Sequence, residues 1–311
     1  MFGIRQSWTT SFTSVIKILR FGGKIIPIST STKSLRVLAD LEVPHWTPTL
    51  PSGIKCVKSD TDLVDGEWIY PEEISNINNH SKYILYIHGG AFCMCKAGTH
   101  RGLLYRLAKK TNSIIFAVDY KRSPEYKYPI PLEDCLISYM YLLKKIKDPN
   151  KIIITGDSAG GNLVINLVAR LITNDLPIPY KIILLSPWVD LTDYGRNTSW
   201  KKNKKYDFVR KDLAKHFSIE YIDPSINTLR DVSPIFIQDE ILKKFPPTLI
   251  EFGECEVLHD QILEFCEKLE KLNVDIKYNC HIDMIHVFPL FHFTGISQSE
   301  DFFDTFEKFI N

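Results

Sequence analysis

Ile152-Ile153-Ile154-Thr155-Gly156-Asp157-Ser158-Ala159-Gly160 is the stretch on which the reading of this chain turns. A short β-branched run ends in Gly-x-Ser-x-Gly, and a helical pattern begins at Asn162. Between a buried strand and a helix, such a pentapeptide makes a turn tight enough to strain the backbone of its serine. Glycines flank that serine because bulk beside it would strike the neighbouring strand and helix. The hydroxyl is thereby held above the sheet, at the positive end of a helix.

From about Lys82 onward the chain alternates short apolar runs with longer amphipathic ones, which reads as βαβ units and a mainly parallel sheet. The runs Tyr83 to Ile87, Ile114 to Val118, Ile152 to Thr155, Lys181 to Leu185, Thr248 to Phe252 and Ile276 to Cys280 are predicted strands. Their Ile, Val and Leu content suits burial on both faces. Helical patterns fall between them, at about Gly102 to Thr111, Leu132 to Ile146, Asn162 to Ile172, Asp260 to Leu272 and Asp301 to Ile310. Residues 1–50, helical and then rich in Pro and Thr, fit the alternation poorly, as does a charged helical insertion at about 194–232. The expected division is therefore an N-terminal lid segment, 1–50, and a catalytic domain, 51–311, whose insertion also contributes to the lid.

Composition narrows the classes. The 311 residues suffice for one large α/β domain or two small ones. A net charge of +1 gives no overall field for nucleic acid or anionic lipid, and the run Lys201, Lys202, Lys204, Lys205 reads as a solvated loop or helix face. Seven cysteines, an odd number scattered through apolar segments, imply reduced thiols and a cytoplasmic location. Cys93 and Cys95 form a C-x-C with no second pair at zinc spacing, so they read as loop or core thiols and no metal is expected. The apolar residues of Met1 to Ile28 are broken by Arg5, Lys17, Arg20 and Lys24, which rules out a span and a signal peptide. Phe12, Val15, Ile16 and Leu19 instead mark an amphipathic helix that either covers a site or rests on a membrane surface.

A serine hydroxyl needs a base, an orienter for that base and a trap for the oxyanion. His88-Gly89-Gly90-Ala91-Phe92 directly follows a strand, and its glycines free backbone N–H groups to point into a site. Gly89 and Gly90, with the N–H of Ala159, are the expected oxyanion donors. Nine histidines compete for the base. His286, in the loop after the last strand, stands where the chain order Ser, Asp/Glu, His puts it. His281 is the nearest rival, at a strand end that suits a structural histidine, while His100, His259 and His292 lack comparable placement. The acid comes from Gly253-Glu254-Cys255-Glu256-Val257-Leu258-His259-Asp260. Glu256 is the first choice, Glu254 and Asp283 stay open, and Asp260 reads as the N-cap of the next helix.

These residues resemble the hormone-sensitive-lipase-like branch of the α/β-hydrolases, which includes bacterial esterases and arylacetamide deacetylase-type enzymes. The resemblance runs from Tyr83 to the end, through His88 to Phe92, Asp119 to Glu125, Tyr128-Pro129, Glu133-Asp134, Gly156 to Gly161, Ser186 to Leu191, Ser233-Pro234, Pro246-Pro247 and Met284 to Phe288. It implies Ser158 as nucleophile, His286 as base, Gly89, Gly90 and Ala159 as oxyanion donors, a lid from the N-terminal segment, and a mechanism without metal or organic cofactor. Two positions depart from the family's pattern. Glu256 stands where the acid is usually Asp, and Ala91 replaces a third glycine, narrowing the acyl pocket. The expected activity is a serine carboxylesterase for short- to medium-chain acyl esters, acting through a Ser-His-Glu triad. A sterol acetate or lipid ester deacetylase, an arylformamidase-type amidase and a non-catalytic small-molecule receptor on the same fold are the alternatives.

Overall fold

In the computed structural model, which describes residues 2–25, 30–37, 50–59, 61–77 and 80–311, five of the six predicted runs become inner strands of one sheet. The sixth, Ile276 to Cys280, forms an edge strand that is largely not buried, contrary to the expected burial on both faces. Its strands are β1 (Ile54–Lys58), β2 (Asp65–Pro71), β3 (Tyr83–Ile87), β4 (Ile114–Asp119), β5 (Ile152–Asp157), β6 (Lys181–Leu185), β7 (Thr248–Gly253) and β8 (Ile276–His281). The order is β1-β2-β4-β3-β5-β6-β7-β8. From β4 to β8 every pairing is parallel, while β2 is antiparallel to both β1 and β4. Sequence reading had no place for β1 and β2. Ile-Lys-Cys-Val-Lys and Asp-Gly-Glu-Trp-Ile-Tyr-Pro mix charge, Gly and Pro into their runs, which hides an edge hairpin.

Alternation along each inner strand sends side chains to opposite faces. Ile152 and Ile154 pack on one side with Leu163, Val164 and Leu167 of α5 (Ala159–Thr173), beside α4 (Ile130–Ile146) and α9 (His259–Lys271). Ile153 faces the other way, into a core built by α1 (Thr10–Ile25), α3 (Ala97–Thr111) and α10 (Ser297–Ile310). Burying each such aliphatic side chain contributes about 1.5–3 kcal/mol. The helices open one to five residues earlier than their apolar periodicity suggests, because the first turn of each is polar, small or proline-containing. Between α1 and the sheet lies a short helix α2 (32–37), and the insertion between β6 and β7 supplies α6 (Ser199–Lys202), α7 (Lys211–Tyr221) and α8 (Asp239–Leu242).

The amphipathic reading of the N-terminal helix is met on its inner face. Phe12 and Ile16 are fully buried, Phe12 packing edge-on to Phe291 at 5.9 Å, while Ile18 and Phe21 face outward. Arg20 and Arg210 donate to backbone carbonyls across the boundary, of Asp207 and Gly23 respectively, which ties α1 to the insertion. Among the described residues no helix is long and apolar enough to cross a membrane. The Pro- and Thr-rich part of the expected lid, including 38–49, lies outside the described residues.

Candidate active site

Ser158 adopts φ 53° and ψ −118°, the strained turn its flanking glycines predict. A Cβ on Gly160 would come within 2.0 Å of the Ile87 carbonyl oxygen, and one on Gly156 within 2.7 Å of the same atom. Both positions are therefore closed to any side chain. β3 and β5 pair in register, Ile87 beside Gly156, so the loop leaving β3 runs alongside the serine. The loops leaving β7 and β8 deliver the other groups.

His286 is nearly buried, with Nε2 2.8 Å from Ser158 Oγ. On its far side Nδ1 stands 3.6 Å from Glu256 Oε1. Both of those atoms are buried and neither has a hydrogen-bond partner, so each is the other's natural complement. The second oxygen of Glu256 is fixed by the Ser186 hydroxyl at 2.6 Å and the Gly253 N–H at 3.0 Å, which leaves Oε1 to face the imidazole. Burial disfavours the imidazolium of His286. The Glu256 carboxylate, with Asp207 and Asp157 behind it, outweighs that and raises its pKa above the ordinary value. A neutral imidazole with its proton on Nδ1 can accept from the serine hydroxyl at Nε2.

The rival residues are occupied elsewhere. Arg5 reaches Glu254 at 3.5 Å and Asp283 at 3.2 Å, and Ser7 donates to Asp283. His281 pairs with buried Glu251, and His292 lies against Arg106. Asp260 is not an N-cap: Leu258 precedes α9, and the Asp260 carboxylate accepts instead from Ser199 N and Thr198 Oγ1. His100 does line the cavity, but its Nε2 is held by Asp157 at 3.2 Å. Cys93 is buried and Cys95 half-buried, and all seven cysteines are free thiols.

One of the expected oxyanion donors is corrected. The Gly89 N–H donates to Asp157 Oδ1 at 2.9 Å, and that carboxylate also receives the Tyr86 hydroxyl at 2.7 Å. The reason is steric as well as polar: a Cβ on Gly89 would lie 2.2 Å from Asp157 Oδ2. The free donors shift one residue along. Gly90 and Ala91, at φ 102° and 52°, line the cavity beside Ser158, and among the described residues no acceptor takes either N–H. Ala159 opens α5, where a backbone N–H has no intrahelical partner. His88 serves the loop's architecture. It stacks on Tyr120 at 4.3 Å, and burial, with His100 nearby, pushes it down to about 3, so it stays neutral.

The cavity measures about 320 Å³ and is mostly apolar, walled by Trp188 and Leu290 and by Phe208, Leu213 and Phe217 of the insertion. Several supporting residues were not singled out from sequence. Ser186 at the end of β6 bridges Glu256 and the Val287 N–H, and its strand-end position was the available signal. Asn203 donates to the carbonyls of Glu254 and Glu256 at 2.9 and 2.8 Å, while Asp207 accepts from Val257 N at 2.8 Å and Ser199 donates to the Val257 carbonyl at 2.8 Å. Burial pushes Asp207 up to about 6. No local pattern marks Asn203 or Asp207, because their partners lie some fifty residues away.

Residues 84–290 match the model of a family described as alpha/beta hydrolase fold. The chain is 34% identical over 226 residues to an esterase of Acinetobacter venetianus, covering 71% of this chain and 72% of that protein. It is 27% identical to an acetyl-hydrolase of Streptomyces hygroscopicus, with 73% of each covered. Among solved structures, an esterase from the bacterial hormone-sensitive lipase family superposes with a TM-score of 0.86 at 26% identity, covering 97% of this chain and 98% of that one.

Proposed function

The chain belongs to the α/β-hydrolase fold family, in its hormone-sensitive-lipase-like branch, and from that premise we propose that it is a serine carboxylesterase with Ser158, His286 and Glu256 as its triad. The observation that carries the reading is the relay itself: Ser158 Oγ 2.8 Å from His286 Nε2, and an unpartnered Nδ1 facing an unpartnered carboxylate oxygen. Ser158 attacks the ester carbonyl as His286 takes its proton. The N–H groups of Gly90, Ala91 and Ala159 receive the oxyanion, each worth about a hundredfold or more in rate. His286 then protonates the leaving alcohol and activates water to cleave the acyl-enzyme.

The apolar cavity of about 320 Å³ favours short- to medium-chain acyl groups. The name of the acetyl-hydrolase relative supports the short end of that range. The N-terminal segment and the insertion act as the lid in this proposal, since the insertion walls the cavity and α1 is tied to it. Hydrolysis of p-nitrophenyl butyrate together with fluorophosphonate labelling tests the function. A chain that does neither would favour the receptor alternative, and N-formylkynurenine cleaved in preference to esters would favour the amidase.

A pH dependence follows from His286. The base works only when neutral, so kcat/KM rises with pH through its pKa, which Glu256 holds above the ordinary 6.5. The acidic limb is therefore expected above pH 6.5 in the wild type, and at lower pH in Glu256→Gln, measured as residual kcat/KM across pH 5–9.

A further inference from the structure

The lysine run does not lie on a featureless face. Lys201 and Lys204 join Arg20, Arg210, Lys211 and Lys215 around a second cleft of about 1010 Å³. Six cations line it against two carboxylates, Asp207 and Asp212, and neither carboxylate neutralises the rest. Asp207 is buried and turned to the N–H groups of Phe208 and Val257, and Asp212 is paired with Arg210. Arg20 is directed to backbone carbonyls, not to a carboxylate. Lys201, Lys204, Lys211 and Lys215 have no ion-pair partner among the described residues. A solvated lysine face is common on proteins. The run is solvent-exposed as expected, but Lys201 and Lys204 also line one concavity with apolar walls, together with four other cations.

That concavity adjoins the catalytic cavity, because Trp200, Phe208, Val209 and Arg210 line both. It also lies on the side of the base. The Phe208 ring is 6.2 Å from the His286 ring, and Val257, the neighbour of Glu256, forms part of its wall. In ester cleavage the departing alcohol takes its proton from the base, so the alcohol portion of the substrate extends to that side.

We infer that the basic cleft is an anion subsite for the leaving alcohol, so that the preferred substrates are soluble esters whose alcohol portion carries an anionic group and whose acyl chain fills the apolar cavity. The inference rests on the carboxylesterase reading. Cleavage breaks the acyl C–O bond, transfers the His286 proton to the alcohol oxygen and releases an anionic alcohol, with water completing the acid product. The lysines add no chemistry; they raise the local concentration of substrate and hold it in register.

Three butyrate esters on one aryl frame test this: 3-(butyryloxy)benzoate, its neutral methyl ester, and 3-(butyryloxy)phenyltrimethylammonium. At low salt the wild-type chain should cleave the anionic ester about tenfold better in kcat/KM than the methyl ester, mostly through KM, and the cationic ester about tenfold worse. The preference should fade in about 0.5 M NaCl. In Lys201→Gln/Lys204→Gln/Lys211→Gln/Lys215→Gln the anionic-to-neutral ratio should fall close to one. The double variant Lys201→Gln/Lys204→Gln, with a ratio between the two, serves if the quadruple does not fold. Ratios taken within one protein cancel any general loss of activity. A ratio near one in the wild type, or one that the substitutions leave unchanged, overturns the subsite. A methyl ester that is cleaved without charge discrimination sinks only this inference, whereas one that is not cleaved at all sinks the carboxylesterase reading with it.

Discussion

Ser158→Ala is expected to lower kcat on p-nitrophenyl butyrate by about 10⁴–10⁶, to background set by binding and the oxyanion donors alone. The size follows from the relay, since removing the hydroxyl leaves His286 with nothing to activate for covalent attack. Stability should hardly move. The substitution deletes one hydrogen bond, worth about 0.5–1.5 kcal/mol net, and alanine meets the same positive φ as serine. Fluorophosphonate labelling should vanish with activity while the unfolding free energy from urea titration falls by no more than that amount. Undiminished turnover in a folded variant would remove Ser158 from the mechanism.

Glu256→Gln carries the second-largest expected effect, a fall in kcat of about 10²–10⁴. A glutamine held by Ser186 and the Gly253 N–H presents an amide to His286 Nδ1, favouring the wrong tautomer and withdrawing the charge that stabilises the imidazolium. Glu254→Gln and Asp283→Asn should stay within about threefold of wild type, because those carboxylates are partly exposed and paired with Arg5 outside the relay. The reverse pattern, with Glu256→Gln active and one of the others dead, would transfer the acid's role. Steady-state kinetics on the three variants decide it.

The parts of this site that could be read from sequence are those whose neighbours are close in the chain. The strand before Ser158, the glycines around it and the histidine loop after β8 each carry their reason locally, in β-branched runs, small residues and chain order. Gly89 shows where that reasoning stops. His-Gly-Gly announces a loop with free N–H groups, but which of them is free depends on Asp157, sixty-eight residues away, whose carboxylate takes the first. The same holds for Asn203 and Ser186, ordinary polar residues until the insertion and β6 bring them against the acid loop. Strands β1 and β2 were hidden for a different reason. Charge, Gly and Pro interrupt their runs, and both pair antiparallel, outside the parallel array whose apolar density marks its strands.

Asn203, Asp207 and Ser199 reach from the insertion to the backbone of Glu254, Glu256 and Val257. Anyone grafting a new insertion onto this scaffold to alter substrate preference would therefore exchange the cavity wall and the bracing of the acid in one operation. A chimaera that keeps these three side chains at their stations can be judged on its selectivity. One that drops them confounds a changed pocket with a slackened triad, and its poor turnover would say nothing about which substrates the new wall admits.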